Sequence, residues 1–128
     1  MKRTPFLVAV LVLWGAVAGA ATPVPFTPQE FDRLAHDGQP VVVYVFASWC
    51  PTCKAQKPII ASLAVRPAYR EVAILTVDFD TDQAVLKRFG VTMQSTLIAF
   101  RGGKETGRSV GDSSASGIES LFRKARGP

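Results

Sequence analysis

Hydrophobic residues along this chain form short continuous runs separated by segments with helical spacing, and this change of pattern predicts alternating strands and helices. Residues 41–46 (VVVYVF) and 71–78 (EVAILTVD) are apolar runs of strand length. Strands that are apolar on both faces are typical of the centre of a sheet. Between them, residues 50–65 are predicted to form a helix, which Pro58 should bend because its ring nitrogen carries no N–H. These segments predict one parallel crossover unit.

Polar residues, prolines and glycines indicate where two further helices begin and end. Residues 27–30 (TPQE) combine an N-cap Thr, a Pro in the first turn and a Glu three residues after the Thr. This predicts a capping box and a helix that ends at residue 36 or 37. Thr81 is predicted to cap a short helix through Phe89, and Gly90 to end it in the left-handed conformation.

The C-terminal part of the chain predicts a hairpin followed by a helix. Residues 96–100 and 106–110 alternate around Gly102-Gly103, which favours an antiparallel hairpin. Ser113 or Ser114 should open a helix over residues 115–126, with one apolar stripe. That stripe consists of Ile118, Leu121, Phe122 and Ala125. The resulting order predicts an α/β fold with a central mixed four-stranded sheet flanked by helices on both faces.

The N-terminus has the pattern of a secretory signal peptide. Lys2 and Arg3 precede an apolar run over residues 6–21, and Ala18-Gly19-Ala20 supplies a cleavage site. The run is shorter than the roughly 20 residues that a membrane-spanning helix needs. We therefore expect residues 1–20 to be a cleaved leader, residues 21–27 to be a proline-rich linker, and residues 28–128 to be the folded domain. An uncleaved membrane anchor is the alternative.

Composition and charge exclude several classes of protein. The chain has 128 residues, of which 48% are hydrophobic, and two cysteines, which excludes a disordered chain, a two-domain enzyme and a disulfide-stapled mini-protein. Loss of the leader removes two of 15 basic residues against 10 acidic ones, so the net charge falls from +5 to +3. The remaining basic residues form no dense run, which argues against nucleic-acid binding.

The two cysteines carry the candidate chemistry. Cys50 and Cys53 lie in the sequence Trp49-Cys50-Pro51-Thr52-Cys53, directly after a predicted strand and at the start of a predicted helix. The first N–H groups of a helix and the positive end of its dipole stabilise a thiolate. Cys50 is therefore the predicted nucleophile. Cys53, about one turn further along, is the predicted resolving thiol.

Other roles for the cysteine pair have less support from the sequence. A purely structural disulfide that closes four residues constrains the unfolded chain by only about 2 kcal/mol. A structural zinc site needs four ligands, whereas the chain adds only His36 to its two thiols. Copper handling with Met93 as a soft ligand is a further alternative. Lys54 and Lys57 are interpreted as solvated surface lysines.

With these residues in place, the sequence resembles the thioredoxin superfamily, specifically its exported bacterial thioredoxin-like members. The matching segments are residues 46–54 (FASWCPTCK), Pro58, Val77-Asp78, Gly90-Val91, residues 96–100 (TLIAF), Gly102-Gly103 and Val110-Gly111. The resemblance implies the thioredoxin fold over residues 28–128 and electron exchange with protein dithiols and disulfides through a mixed disulfide. It also implies that Trp49 forms part of the substrate surface.

Two positions depart from the family pattern. Tyr44 stands where the family usually has a buried Asp that helps to deprotonate the resolving cysteine, so we expect water or the Tyr44 hydroxyl to activate Cys53. Ser95 stands where the family has a cis-proline. Because a non-proline cis bond costs about 2.5–4 kcal/mol, we expect a trans Gln94–Ser95 bond and a reshaped substrate loop. A strained cis bond that is kept for function is the alternative. Ser95 is either a substrate-binding residue or a tolerated loop residue.

Together these features predict a periplasmic thiol:disulfide oxidoreductase, with reduction of substrates as the expected direction and oxidation as the alternative. Its expected site has catalytic Cys50 and Cys53 and the substrate-binding residues Trp49, Pro51, Thr52, Gln94, Ser95 and Thr96. We expect no cofactor, no metal and no nucleic-acid partner. The expected partners are protein substrates and an electron donor in the membrane, and the expected state is a monomer. The alternative function is a non-catalytic binding or chaperone module.

Overall fold

The computed structural model describes residues 21–128, so the predicted signal peptide, residues 1–20, lies outside the described residues. Within this range the chain forms five strands and four α-helices. They are β1 (Val24–Pro25), α1 (Pro28–His36), β2 (Pro40–Phe46), α2 (Pro51–Ala64), β3 (Ala73–Asp78), α3 (Gln83–Phe89), β4 (Thr96–Arg101), β5 (Lys104–Val110) and α4 (Ala115–Arg126). Among residues 21–128, no helix has both the length and the apolar character needed to span a bilayer.

The strands form one mixed sheet in the order β1-β3-β2-β4-β5. β2 and β3 are parallel, with Val43 opposite Leu75, and β4 runs antiparallel to β2, with Val43 opposite Ile98. Val43 itself is fully buried. The prediction that the apolar run of β2 is a central strand is confirmed, and so is the α/β class with helices on both faces.

Alternate side chains of β2 supply two separate cores. Val42 and Tyr44 point to the face covered by α2 and α4, whereas Val41, Val43 and Val45 point to the face covered by α1 and α3. This follows from the period of two in a strand, which sends neighbouring side chains to opposite faces. Cys50 and Cys53 belong to the first of these cores.

The prediction of four strands was wrong by one, because residues 21–27, predicted as a linker, contain β1. Val24–Pro25 pairs in parallel with β3, and the Phe26 N–H donates to the Thr76 carbonyl at 2.9 Å. Phe26 also packs 5.5 Å from the Phe31 ring. A two-residue strand is too short to show a period in sequence, and proline is tolerated at a sheet edge where no N–H is required.

The start of α1 is capped by only half of the predicted capping box. Thr27 Oγ1 accepts the Glu30 N–H at 3.2 Å, as predicted. The Glu30 carboxylate instead accepts two hydrogen bonds from Arg33, at 2.7 and 2.9 Å. An arginine one turn further along the exposed face therefore competes successfully for the carboxylate.

The predicted cap of α3 was also wrong. Asp82, not Thr81, is the N-cap residue, and its side chain makes no capping hydrogen bond because Asp82 Oδ2 accepts the Asp78 N–H at 2.8 Å. The predicted end of α3 is confirmed, since Gly90 adopts φ +61°. For α4, Ser114 rather than Ser113 is the cap, and its Oγ accepts the Gly117 N–H at 3.1 Å.

We expect Thr27→Ala to lower the free energy of unfolding by about 1 kcal/mol, because the substitution removes a capping acceptor. Thr81→Ala is the matched control, since Thr81 is exposed and caps no helix; its effect should stay within about 0.5 kcal/mol. Urea unfolding followed by far-ultraviolet circular dichroism measures both. Equal effects of the two substitutions would contradict the assignment of Thr27 as the cap.

Candidate active site

The two cysteines lie where the central strand β2 passes into α2. Cys50 is the N-cap residue of α2, and Cys53 lies in its first turn. The two residues form a disulfide, with their Cα atoms 5.3 Å apart. The Cys53 N–H donates to Cys50 Sγ at 3.1 Å. One of the free N–H groups of the helix start therefore already points at the sulfur of the predicted nucleophile.

The surroundings of the pair are mostly apolar. Cys50 and Cys53 are each only 1% exposed. Lys54 and Lys57 are exposed, as the sequence predicts, and Lys57 Nζ lies 5.3 Å from the centre of the Phe46 ring. The backbone of the helix start, and not a lysine side chain, provides the positive end of a dipole at the sulfur of Cys50.

Ser95 lies against the disulfide. Its hydroxyl oxygen is 3.8 Å from Cys50 Sγ, and because a disulfide sulfur carries no hydrogen, the hydroxyl is the donor in this contact. The described residues contain no cis peptide bond, so the Gln94–Ser95 bond is trans, which confirms the prediction. Ser95 adopts φ +54°, the left-handed region that residues with a Cβ rarely occupy. Reshaping of this loop relative to the family stays a prediction.

Backbone and side-chain hydrogen bonds hold this loop in place. The Ser95 carbonyl accepts the Gly111 N–H at 3.0 Å and the Gln56 side-chain amide at 3.2 Å. Thr96 Oγ1 donates to the Met93 carbonyl at 2.7 Å. The loop is therefore tied to α2, to the end of β5 and to itself.

Two large apolar side chains are exposed on the segments that flank the disulfide. Trp49, next to Cys50, is 55% exposed, and its indole Nε1–H donates to Asp80 Oδ2 at 2.9 Å. Met93, two residues before Ser95, is 50% exposed. Exposed apolar groups beside a reactive pair are suited to contact a partner protein.

The structure brings the predicted site residues to this end of the sheet, but two of the predicted substrate-binding residues, Ser95 and Thr96, are buried. Pro51 is exposed and Thr52 half-buried in the first turn of α2, and Gln94 is half-buried next to Ser95. Thr96 is only 1% exposed, and its hydroxyl bonds within the loop. Thr96 therefore shapes the loop rather than presenting its side chain at the surface.

Sequence reasoning did not single out Gln56 and Asp80. Gln56 occupies a buried position on the core face of α2, where the other members are apolar or cysteine, and a polar residue at such a position is a signal visible in the sequence. Asp80 follows β3, 31 residues after Trp49. No local pattern links the two, so only the fold shows this pairing.

Tyr44, which the resemblance places at the position of the family's buried acid, uses its hydroxyl in a hydrogen bond to the backbone. The Tyr44 hydroxyl donates to the Cys53 carbonyl at 3.1 Å. Burial raises the pKa of Tyr44 to about 12. The phenol therefore stays protonated at neutral pH and does not serve as a base for Cys53. Of the two predicted activators of Cys53, the Tyr44 hydroxyl is therefore not supported, and activation by water stays a prediction.

Accordingly, Tyr44→Phe should leave the rate of insulin reduction within about threefold of the wild type and lower stability by about 1 kcal/mol, the usual effect of losing one neutral hydrogen bond. The rate is measured by the turbidity of reduced insulin, and stability by urea unfolding. A loss of activity much larger than the loss of stability would show that the hydroxyl takes part in proton transfer.

Metal-binding groups are sparse around the site. Across residues 21–128, no group of three or more His, Cys, Asp or Glu side chains lies close enough together to hold a metal ion. His36 lies at the end of α1, and its side chain is 89% exposed.

A cysteine pair at the N-cap and in the first turn of a helix that follows the central strand of a mixed sheet defines a thiol-disulfide oxidoreductase of thioredoxin fold. The sequence matches the thioredoxin family over residues 22–124, and the chain belongs to that family. It is 39% identical over 84 residues to thioredoxin of Chlamydia muridarum, covering 66% of this chain and 80% of that protein.

Two further relatives support this assignment. The crystal structure of Trxlp from Edwardsiella tarda is 39% identical in sequence and superposes with a TM-score of 0.76, covering 79% of this chain and 98% of that one. Protein disulfide-isomerase erp38 of Neurospora crassa is 37% identical over 99 residues, which span 75% of this chain but only 27% of that longer protein.

Proposed function

We propose that this protein is exported to the bacterial periplasm and reduces disulfides in other proteins through Cys50 and Cys53. The main observation behind this proposal is the hydrogen bond from the Cys53 N–H to Cys50 Sγ at 3.1 Å, at the start of a helix. This contact stabilises the Cys50 thiolate that must attack a substrate. The predicted leader, residues 1–20, supports export.

The direction of electron flow follows from how strongly the thiolate is stabilised. Strong oxidants have a heavily stabilised thiolate, which makes their reduced form favourable. In the described part of the chain, no Lys, Arg or His side chain hydrogen-bonds to Cys50 Sγ, whose partners are one backbone N–H and the Ser95 hydroxyl. Moderate stabilisation of this kind supports a reductant.

The proposed reaction has two exchange steps. The Cys50 thiolate attacks one sulfur of a substrate disulfide, the substrate S–S bond breaks, and the departing substrate sulfur takes up a proton. The Cys53 thiol then loses its proton to water, and its thiolate attacks Cys50 Sγ. This second attack forms the Cys50–Cys53 disulfide and releases the second substrate sulfur as a thiolate, which takes up a proton from water. The substrate gains two electrons and two protons, and the pair is oxidised.

The exposed residues around the pair form the proposed docking surface for substrates. Trp49 and Met93 supply apolar contact area, and the exposed Pro51 and the half-buried Thr52 and Gln94 lie on the same two segments. Such a surface suits an extended segment of a protein whose disulfide is accessible. A periplasmic reductant works against an oxidising environment, so we propose that a membrane electron donor reduces the pair again. We propose that the chain acts as a monomer.

The test is the equilibrium redox potential of the pair against glutathione, together with fractionation of cells that express the whole chain. We expect a potential below roughly −200 mV, in the range of reductants and far from the roughly −120 mV of a strong oxidant. We also expect the processed chain in the periplasmic fraction. A potential near the oxidant value, a pair that cannot be reduced without unfolding, or retention in the cytoplasm would each overturn the proposal.

A further inference from the structure

Gln56 is a polar side chain placed entirely inside the core next to the active site. It is 0% exposed and lies one turn after Cys53 on α2. Its Nε2 donates to the Ser95 carbonyl at 3.2 Å and to the Asp112 carbonyl at 2.8 Å. Because both partners are acceptors, the amide nitrogen must face them, and both of its hydrogens are used. One glutamine thus joins α2 to two distant loops.

The backbone conformation of Ser95 requires stabilising contacts of this kind. It has a Cβ and yet adopts φ +54°, a conformation that persists only where surrounding contacts hold it. It also lacks the ring that would fix its backbone. The two hydrogen bonds to its carbonyl, from Gln56 and from the Gly111 N–H, supply this restraint. They place the Ser95 hydroxyl 3.8 Å from Cys50 Sγ.

From this geometry we infer that Gln56 is a positioning residue, which holds the left-handed Ser95 so that its hydroxyl donates to the sulfur of Cys50. The inference deepens the proposed function and rests on Cys50 being the attacking thiolate. A glutamine is suited to this role because its amide reaches out of the helix with two donors. An apolar side chain has none, and an ionised Glu has acceptors only.

A double-mutant cycle tests the inference in the whole chain. Cys53→Ala serves as the background, so that Cys50 is the only thiol, and the rate of Cys50 alkylation by iodoacetamide is followed against pH. Gln56→Met keeps the approximate shape but removes the donors. We expect it to slow alkylation at neutral pH by about threefold to tenfold, the range for the loss of one ordinary hydrogen bond, and to move the midpoint of the pH profile upward.

The cycle separates positioning from simple core packing. Ser95→Ala should slow alkylation to a similar extent, and adding Gln56→Met to Ser95→Ala should slow it no further, because both act through one hydroxyl. Gln83→Met is the matched control, since the Gln83 amide also donates to two carbonyls, those of Phe79 and Asp80, but on the exposed start of α3. It should leave the profile unchanged.

An unchanged profile for Gln56→Met, or a full further effect in the Ser95→Ala background, would overturn the inference. If Gln56→Met does not fold, nuclear magnetic resonance of the wild-type chain decides instead. Both Gln56 side-chain amide protons should exchange slowly with water, and fast exchange would overturn the inference. Alkylation needs no substrate protein, so the cycle remains readable if the wild type proves to be no reductant. If Gln56→Met does not change the alkylation rate while the wild type reduces insulin, only the role of Gln56 is rejected and the proposed function stands.

Discussion

Cys50→Ala should abolish the reduction of insulin disulfides, with a loss on the order of a thousandfold or more. The substitution removes the sulfur that attacks the substrate, so the mixed disulfide cannot form. Cys53 does not substitute, because the N–H at the start of α2 points at Cys50 Sγ and not at Cys53 Sγ. Insulin turbidity with dithiothreitol as the electron source, corrected for the uncatalysed rate, measures the loss.

Cys53→Ala should fail in a different way. Cys50 still attacks, but the mixed disulfide has no neighbouring thiol to resolve it, so covalent complexes with substrate accumulate. Non-reducing electrophoresis and mass spectrometry detect them. Ser62→Ala, on the exposed face of α2, is the control and should behave as the wild type. Accumulation with Cys50→Ala rather than with Cys53→Ala would show that the two cysteines have exchanged roles.

Phe122→Ala should have the largest effect on stability. Phe122 is fully buried on α4, and its ring meets Tyr69 at 5.6 Å between centres. Removing a buried phenyl ring costs about 3–5 kcal/mol in lost burial and residual cavity, against a total stability of about 5–15 kcal/mol for a typical domain. We expect the urea midpoint to fall sharply with little change in the slope.

Two substitutions serve as references for this loss. Ser116→Ala lies on the exposed side of the same helix and should change stability by less than about 0.5 kcal/mol. Phe122→Leu keeps most of the apolar volume and should cost clearly less than Phe122→Ala. A loss of less than about 1 kcal/mol for Phe122→Ala would contradict the placement of α4 as the cover of this core.

Much of the fold could be predicted because its elements carry local signals. The β-branched run of β2, the cap at Thr27, the glycine that ends α3 and the apolar stripe of α4 each act over a few residues. β1 could not be predicted, because its two residues gain their structure from pairing with β3, about fifty residues away. Of the predicted caps that differ, the Glu30 carboxylate binds Arg33 instead, and the N-cap of α3 lies one residue later than predicted, at Asp82.

The candidate site likewise contains residues that the sequence predicts and contacts that only the fold brings about. Cys50, Cys53 and Trp49 follow from one short motif and its place after a strand. The trans bond before Ser95 could be predicted from the cost of the cis form. The contacts of Trp49 with Asp80 and of Gln56 with Ser95 join residues 31 and 39 positions apart, and neither leaves a pattern that a reading of one sequence pairs.

By itself, the sequence therefore determined the α/β class, the dithiol at a helix start and the resemblance to the thioredoxin superfamily. Those features depend on periodicity, capping and spacing, which act between neighbours in the chain. The tertiary structure decided the fifth strand, the use of Tyr44 as a donor to the Cys53 carbonyl, and the position of the Ser95 hydroxyl beside Cys50. The physical reason is that hydrogen bonds between distant segments form only when packing of the two cores brings their donors and acceptors within reach.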